Sequence, residues 1–384
     1  MEPQLTSDQQ LFAETSRKYL EDKADVTTLR QLRHDERGYD PAYWQQGCEL
    51  GWTSLLVSEE DGGGSVSGEG VEDLALVAYE FGYHASPGPL VATNVVAAAL
   101  SRAGSAEQKA DVLGGIVAGE LVASWAYGEP HPGDRLGAVT MEAARDGDGW
   151  SLSGVKQPVE AGGSAQHFLV TARTGDGLTQ FLVPADTPGL TVTPMHTVDL
   201  TRRFSSLRFD GCKVDASAVV GEPGAAGPDV ERQLRLANVM QCAEMVGALD
   251  RAMEITVDWA MARYSFGRPL SSYQALKHRF ADMKTWLEAS HALADAATRA
   301  VQDESDGAEE LVSAAKAYIG HYGPELCQEC VQMHGGIGVT FEHDMHLFLR
   351  RVTLDSVLYG TVTDHRLRLA DILEARASAK GDAA

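Results

Sequence analysis

Two short segments of this chain carry residue types that could do chemistry. The first is QMHGGIGVTFEHD, residues 332–344, which follows a long stretch of helical period. Glycine inside a helix costs about 1 kcal/mol relative to alanine, and a single glycine is enough to cap a helix C-terminus in the left-handed conformation. Gly335, Gly336 and Gly338 fall within four residues, a density that points to close approach of something to bare backbone. The second segment, ARYSFGRPLSSYQALKHRFADM at 262–283, gathers Arg263, Arg268, Lys277 and Arg279. It reads equally well as a solvated connection with balancing charges or as an anion site, where arginine forks would suit a pyrophosphate.

Other reactive residue types carry less. Cys327, Cys330 and His334 can share one helix face, but a tetrahedral metal site wants a fourth ligand and none is spaced for it. Small buried thiols are the better reading, and no metal is expected. Glu244 is the lone acid in the apolar run VMQCAEMVGA. It is either an ion-paired core residue, with Arg251 or Arg235 as partner, or a desolvated general base. Tyr359 is a poor base at a phenol's ordinary value of about 10. The glycine-rich EEDGGGSVSGEG, 59–70, lacks the lysine of a phosphate-binding loop and reads as a connection.

The elements that must position these groups follow from periodicity. Residues 1–119 read as helices: Ser7 with Gln10 forms a capping-box pattern, Asp40-Pro41 opens a helix and Ser105 caps another. Residues 120–226 switch to short β-rich runs separated by turn signals, an antiparallel β domain. Residues 227–384 return to long helical periods, roughly 228–263, 271–303 and 307–334 and then a final helix, with Glu342-His343-Asp344 capping the helix after the glycines. The fold class is therefore α+β and multidomain: helical N-terminal domain, β middle domain, helical bundle. It lacks the βαβ alternation of a dinucleotide-binding sheet.

Composition bounds the function. The 384 residues carry 32 Lys plus Arg against 55 Asp plus Glu, a formal charge of -23. Such a surface repels nucleic-acid phosphates and anionic membranes. No apolar run reaches the roughly 18 residues of a membrane span, and the first ten residues lack the pattern of a signal peptide. Five scattered cysteines fit reduced thiols in the cytoplasm.

Taken together, Arg263-Tyr264-Ser265-Phe266-Gly267-Arg268-Pro269, then Gln274, then Gln332-Met333-His334-Gly335-Gly336-Ile337-Gly338, then Gly360-Thr361 resemble the motifs of the acyl-CoA dehydrogenase family. The domain order matches over nearly the whole chain, including a C-terminal four-helix bundle. The resemblance implies an FAD-dependent enzyme that desaturates a CoA thioester between its α and β carbons and passes electrons to an electron-transfer flavoprotein. It implies that Arg263 meets the FAD pyrophosphate and that Phe266 packs against the cofactor. Gln274, Gln332 and the backbone of Gly335 and Gly336 would lie along it, and Thr361 and Thr363 would sit near the adenine end. It also implies a cofactor site shared between subunits, in a homo-oligomer or a heterotetramer with a second chain of the family.

The chain departs from the family pattern in places. Gly128-Glu129-Pro130 keeps a Glu-Pro of the flavin-contacting stretch and loses its threonine. After Gly154-Val155-Lys156 the expected tryptophan is absent, so contacts to flavin there would be backbone or none. The two family positions for the catalytic carboxylate hold Tyr359 and Ala237. Glu244, two turns beyond Ala237 on the same helix, is the remaining candidate base. The ending resembles subunits of heteromeric actinobacterial acyl-CoA dehydrogenases, several of which act on CoA thioesters of steroid side chains, where one subunit type supplies the base and the other completes the FAD site. The alternative is therefore a non-catalytic partner chain. A flavin oxidase or monooxygenase on the same fold is a further reading, marked by reaction of the reduced flavin with oxygen.

Overall fold

The computed structural model describes residues 5–130, 139–175 and 177–381. The described residues form two compact units, one built from 5–77 and 87–237, the other from 78–86 and 238–381.

The first unit joins the N-terminal helices to an eight-stranded sheet. Helix Ser7–Lys23 starts one residue earlier than its sequence signal: Thr6, not Ser7, is the cap, and it exchanges bonds with Gln9 rather than Gln10. Asp40 caps Pro41–Glu49 and Ser105 caps the turn beginning at Ala106, each through its side chain. Helix Leu90–Ala103 is buried over most of its length, as its near-continuous apolar sequence requires.

The strands are β1 (Ala123–Ala126), β2 (Glu142–Asp146), β3 (Gly149–Glu160), β4 (His167–Thr174), β5 (Gly177–Pro184), β6 (Leu190–Met195), β7 (Phe204–Val214) and β8 (Val219–Val220). They lie in the order β6-β7-β3-β2-β4-β5-β8, with β1 against β4. The sheet is mixed, not antiparallel throughout: β1 and β2 each pair in parallel with β4. Turn signals between β-rich runs reveal only hairpins such as β2–β3, closed at Asp146↔Gly149. Parallel neighbours need a longer crossover, and the chain from β1 to β4 supplies one.

The second unit is helical. Helix Gly227–Ala262, whose residues from Asn238 belong here, Gln274–Gln302, Ala308–His334 and Val362–Gly381 are the long members. The last stretch, expected as one helix, is two, because a short helix Met345–Asp355 precedes Val362–Gly381. Helix Ala308–His334 packs on Gln274–Gln302, Met345–Asp355 and Val362–Gly381. Residues 78–83 cross the long first helix at two glycines: a Cβ on Gly82 would meet the Glu244 carbonyl oxygen at 1.7 Å, and one on Gly247 the Tyr79 carbonyl oxygen at 2.0 Å. Among the described residues no helix is long and apolar enough to cross a membrane.

Candidate cofactor and substrate site

Helix Gly227–Ala262 ends just before Arg263, and the chain turns through a two-residue hairpin with Ser265 opposite Arg268 and Tyr264 opposite Pro269. Phe266 and Gly267 at its tip have φ of +49° and +81°, the sign that a tight twisted hairpin turn requires at both positions. The hairpin is pinned from behind: the Tyr273 hydroxyl donates to the Ser265 carbonyl at 2.7 Å, and the Arg268 guanidinium lies 3.8 Å over the Tyr273 ring. An aromatic side chain held on strained backbone and 97 % exposed has no packing role within this chain. Arg263 and Gln274 are exposed beside it.

The glycine segment lies at the adjoining helix end. Trp259 stacks on His334 with centroids 5.3 Å apart, His343 lies 4.2 Å from His334, and Arg263 sits 5.8 Å from the Trp259 ring. His334 Nδ1 donates to the Cys330 carbonyl at 2.8 Å. Burial, together with neighbouring His343, holds this imidazole below its ordinary value, so it is neutral near pH 7. Cys327 and Cys330 are buried thiols, and burial pushes Cys330 up to about 12.

The three glycines have three different surroundings. Gly335 caps the helix with φ +64°. Gly338 is close-packed, since a Cβ there would lie 2.5 Å from the Val331 carbonyl oxygen. Gly336 has neither constraint: its φ is not left-handed and nothing lies within 4 Å of a Cβ. Gln332 is exposed and its carbonyl accepts from Gly335 N–H. The 342–344 cap takes another form: the His343 ring nitrogen, not Asp344, accepts from Met345 N–H.

The second group of residues lies elsewhere in the same unit. Thr361 caps Val362–Gly381, its N–H and hydroxyl both donating to Asp364, and Thr363 is exposed in the first helical turn. The turn leading to it is gripped by Lys316, which is fully buried. Its Nζ donates to Gln241 Oε1 at 2.8 Å and to the carbonyls of Asp355 and Leu358 at 2.5 and 2.8 Å. Asn238 Nδ2 donates to the Tyr359 carbonyl at 3.2 Å, and Tyr359 has φ +53°. His365 bonds Ser313 at 3.3 Å, and burial beside Lys316 drives it down to about 3.

Glu244 is 3 % exposed and its partner is neither Arg251 nor Arg235. It accepts from Arg351 Nη1 at 2.5 Å, and the other nitrogen of that guanidinium donates to the carbonyls of Ala85 and Ser86. Arg251 instead pairs with Glu254. Ala237 is fully buried.

In the sheet-bearing unit, the two departing motifs meet. Lys156 Nζ donates to Glu129 Oε1 at 2.6 Å and to the Tyr127 carbonyl at 3.1 Å. Glu129 also accepts from Met141 N–H and from the N–H and hydroxyl of Thr140. Burial pushes the Lys156 ammonium down to about 8, with Glu129 opposing the shift. Burial also acts to raise Glu129, but Lys156 and the donors outweigh it and leave the carboxyl below its usual range. Sequence reasoning picked out both segments without pairing them. It also missed Lys316 and Arg351, although a cation inside an apolar helical run, as in VSAAKAYIG, is a usable signal, because a buried charge requires partners.

The chain matches three family models: acyl-CoA dehydrogenase N-terminal domain over residues 6–120, middle domain over 124–212 and C-terminal domain over 228–373. The acyl-CoA dehydrogenase FadE27 of Mycobacterium tuberculosis is 30 % identical over 350 residues, covering 88 % of this chain and 90 % of that protein. Among solved structures, a variant of the Tcur3481-Tcur3483 steroid ACAD superposes with a TM-score of 0.87 at 29 % identity, covering 96 % of this chain and 98 % of that one. The ChsE4-ChsE5 complex from Mycobacterium tuberculosis gives 0.87 at 27 %, covering 97 % and 99 %.

Proposed function

The chain belongs to the acyl-CoA dehydrogenase family, and from that premise we propose how its residues serve an FAD-dependent dehydrogenase subunit that desaturates a CoA thioester. The open backbone at Gly336, the exposed Arg263 and the outward Phe266 fit a large anionic aromatic cofactor. Arg263 would meet its pyrophosphate as a charged donor and Phe266 would cover an apolar face. Gln274, Gln332 and the Gly335–Gly336 backbone would line its length, with Thr361 and Thr363 at a separate contact. When bound, FAD would supply the acceptor for a hydride from the substrate β-carbon, and a base would take the α-proton.

One observation supports a site completed by two chains. The turn before Thr361 is tied to Lys316, whereas Gly335 lies at the far end of the same helix. That is about 19 residues at 1.5 Å each, or about 28 Å. One chain therefore offers its two groups of motif residues too far apart for one end of a cofactor, and a second copy or a second family chain would bring complementary groups together. The ChsE4-ChsE5 structure is a complex of two such differently named chains. The name of the Tcur3481-Tcur3483 assembly supports a steroid-bearing CoA thioester as the substrate class. Electrons would leave to an electron-transfer flavoprotein in the cytoplasm, where five free thiols stay reduced.

Glu244 is the proposed base if the chain acts alone, since Tyr359 and Ala237 stand at the positions that the resemblance assigns to it. The comparisons do not favour a non-catalytic partner chain. One geometric fact does favour a base from elsewhere: the Glu244 carboxylate is already held by Arg351. Weighing the assembly, counting flavins per chain and mixing it with a saturating steroid side-chain acyl-CoA tests the whole reading. A flavin-saturated monomer would end the shared-site proposal, and a flavin-loaded assembly that no acyl-CoA bleaches would end the dehydrogenase assignment. Bleaching by the chain alone keeps Glu244 in contention, whereas bleaching that begins only when a second chain is added assigns the base to that chain.

A further inference from the structure

The turn from Ser356 to Thr361 is held more tightly than a surface connection between two helices requires. The carbonyls of Asp355, at the end of the preceding helix, and of Leu358, within the turn, converge on one buried ammonium, Lys316, which Gln241 also engages. Ser356 Oγ bonds back to the Thr353 carbonyl, Asn238 takes the Tyr359 carbonyl, and the Thr361–Asp364 pair closes the far side. Within this frame Tyr359 adopts φ +53° and Gly360 φ +113°. Glycine accepts such a conformation readily, but tyrosine does not, and a non-glycine residue persists there only where its surroundings over-determine it. A cation at a helix C-terminus is favourable, yet an exposed lysine would serve that end. Burying an ammonium needs acceptors, and two of those Lys316 finds are main-chain oxygens, one at the end of the preceding helix and one within this turn.

We propose that Lys316 and Asn238 are positioning residues that lock the Ser356–Thr361 turn, with Tyr359 in its left-handed conformation, so that Thr361 is presented to the cofactor in one fixed orientation. This rests on the FAD-dependent reading of the site. Neither residue touches the cofactor; both act through the main chain of the turn.

The test uses the flavin-loaded assembly and two readouts, the dissociation rate of FAD followed by flavin fluorescence and amide hydrogen exchange of Tyr359–Thr361. Asn238→Ala removes the donor to the Tyr359 carbonyl and keeps a helix-forming residue at that position. We expect FAD to leave about 10-fold to 100-fold faster, the scale on which loss of the partners that orient ligating residues weakens metal sites, and exchange at the turn to rise in parallel. Lys316→Met should act in the same direction and more strongly; should it not fold, Asn238→Ala carries the test. Tyr359→Gly added to Asn238→Ala supplies the decisive arm. Glycine adopts the left-handed conformation without strain, so the double variant should recover part of the FAD retention, a rescue that a merely structural role for Asn238 does not produce. Unchanged FAD dissociation in Asn238→Ala, or no rescue by Tyr359→Gly, overturns the proposal. A wild-type assembly that takes up no FAD overturns the cofactor reading instead, so the two failures are distinguishable.

Discussion

Glu244→Gln keeps the shape of the side chain and removes its charge, and the structure sets the size of the effect. Glu244 and Arg351 are 3 % and 0 % exposed, so little water is at hand to replace a lost partner. Removing one member of a buried pair costs about 3–5 kcal/mol, mostly from the charge left behind. Glutamine still offers an oxygen to Arg351 Nη1, and the Ala85 and Ser86 carbonyls remain on Nη2, which places this variant near the lower end, about 3 kcal/mol. Arg351→Met leaves the carboxylate buried without its cation and belongs near the upper end, about 5 kcal/mol. With a urea slope of about 3 kcal/mol per molar, the midpoints should fall by about 1 M and somewhat under 2 M. Single-turnover bleaching of the flavin by acyl-CoA then separates the two roles of Glu244. As a general base its loss slows bleaching about 10²–10⁴-fold; as an ion-pair residue it lowers the midpoint and leaves the bleaching rate per folded assembly unchanged. A Glu244→Gln midpoint within about 0.3 M of wild type would refute the buried-pair argument, because exposed pairs contribute only about that order of stability.

Two further expectations follow from the same geometry. Gly336→Val should leave stability within about 0.5 kcal/mol, as for other substitutions away from packed features, while flavin content drops; Gly338→Ala, whose Cβ would press on the Val331 carbonyl oxygen, should cost about 1–3 kcal/mol, and equal flavin content in wild type and Gly336→Val would remove the cofactor assignment of that turn. Lys156 should make stability pH-dependent with a definite sign: an unfolded lysine holds its proton to about 10.5 and the folded one releases it near 8, so between these values the unfolded state binds more protons and this lysine's contribution rises with pH. The stability of wild type relative to Lys156→Met, measured by denaturation at pH 7.5 and pH 10, should rise by about 3 kcal/mol at most; a fall would show that the ammonium is not desolvated.

Much of the architecture was legible locally. Period-3.6 runs announced the long helices, and turn signals between β-rich runs announced the sheet, because each is set by which face of a short segment is apolar. Caps at Asp40 and Ser105 were readable for the same reason, while Thr6 displaced Ser7 because adjacent hydroxyl residues compete for one cap. The parallel pairing of β1 and β2 with β4 was not legible, since no local pattern records which distant strand a run will meet. The cofactor motifs were recognisable from residue type and spacing, and spacing alone could not separate their glycines. Gly335, Gly336 and Gly338 are identical letters, and only the surrounding atoms distinguish a cap, an open face and a packing contact.

By itself, then, the sequence determined the element types, the acyl-CoA dehydrogenase resemblance, the missing carboxylates at Ala237 and Tyr359, and a strongly acidic surface. The tertiary structure decided which charges meet. Glu244 chose Arg351, more than 100 positions away, over Arg251 on its own helix, and Lys156 of β3 chose Glu129 in the connection after β1. Lys316 took up the carbonyls of a turn some 40 residues downstream. The physical reason is common to all three. A buried charge must find acceptors or an opposite charge wherever packing places them, and that choice depends on distances in space that residue spacing along a helix or strand does not encode.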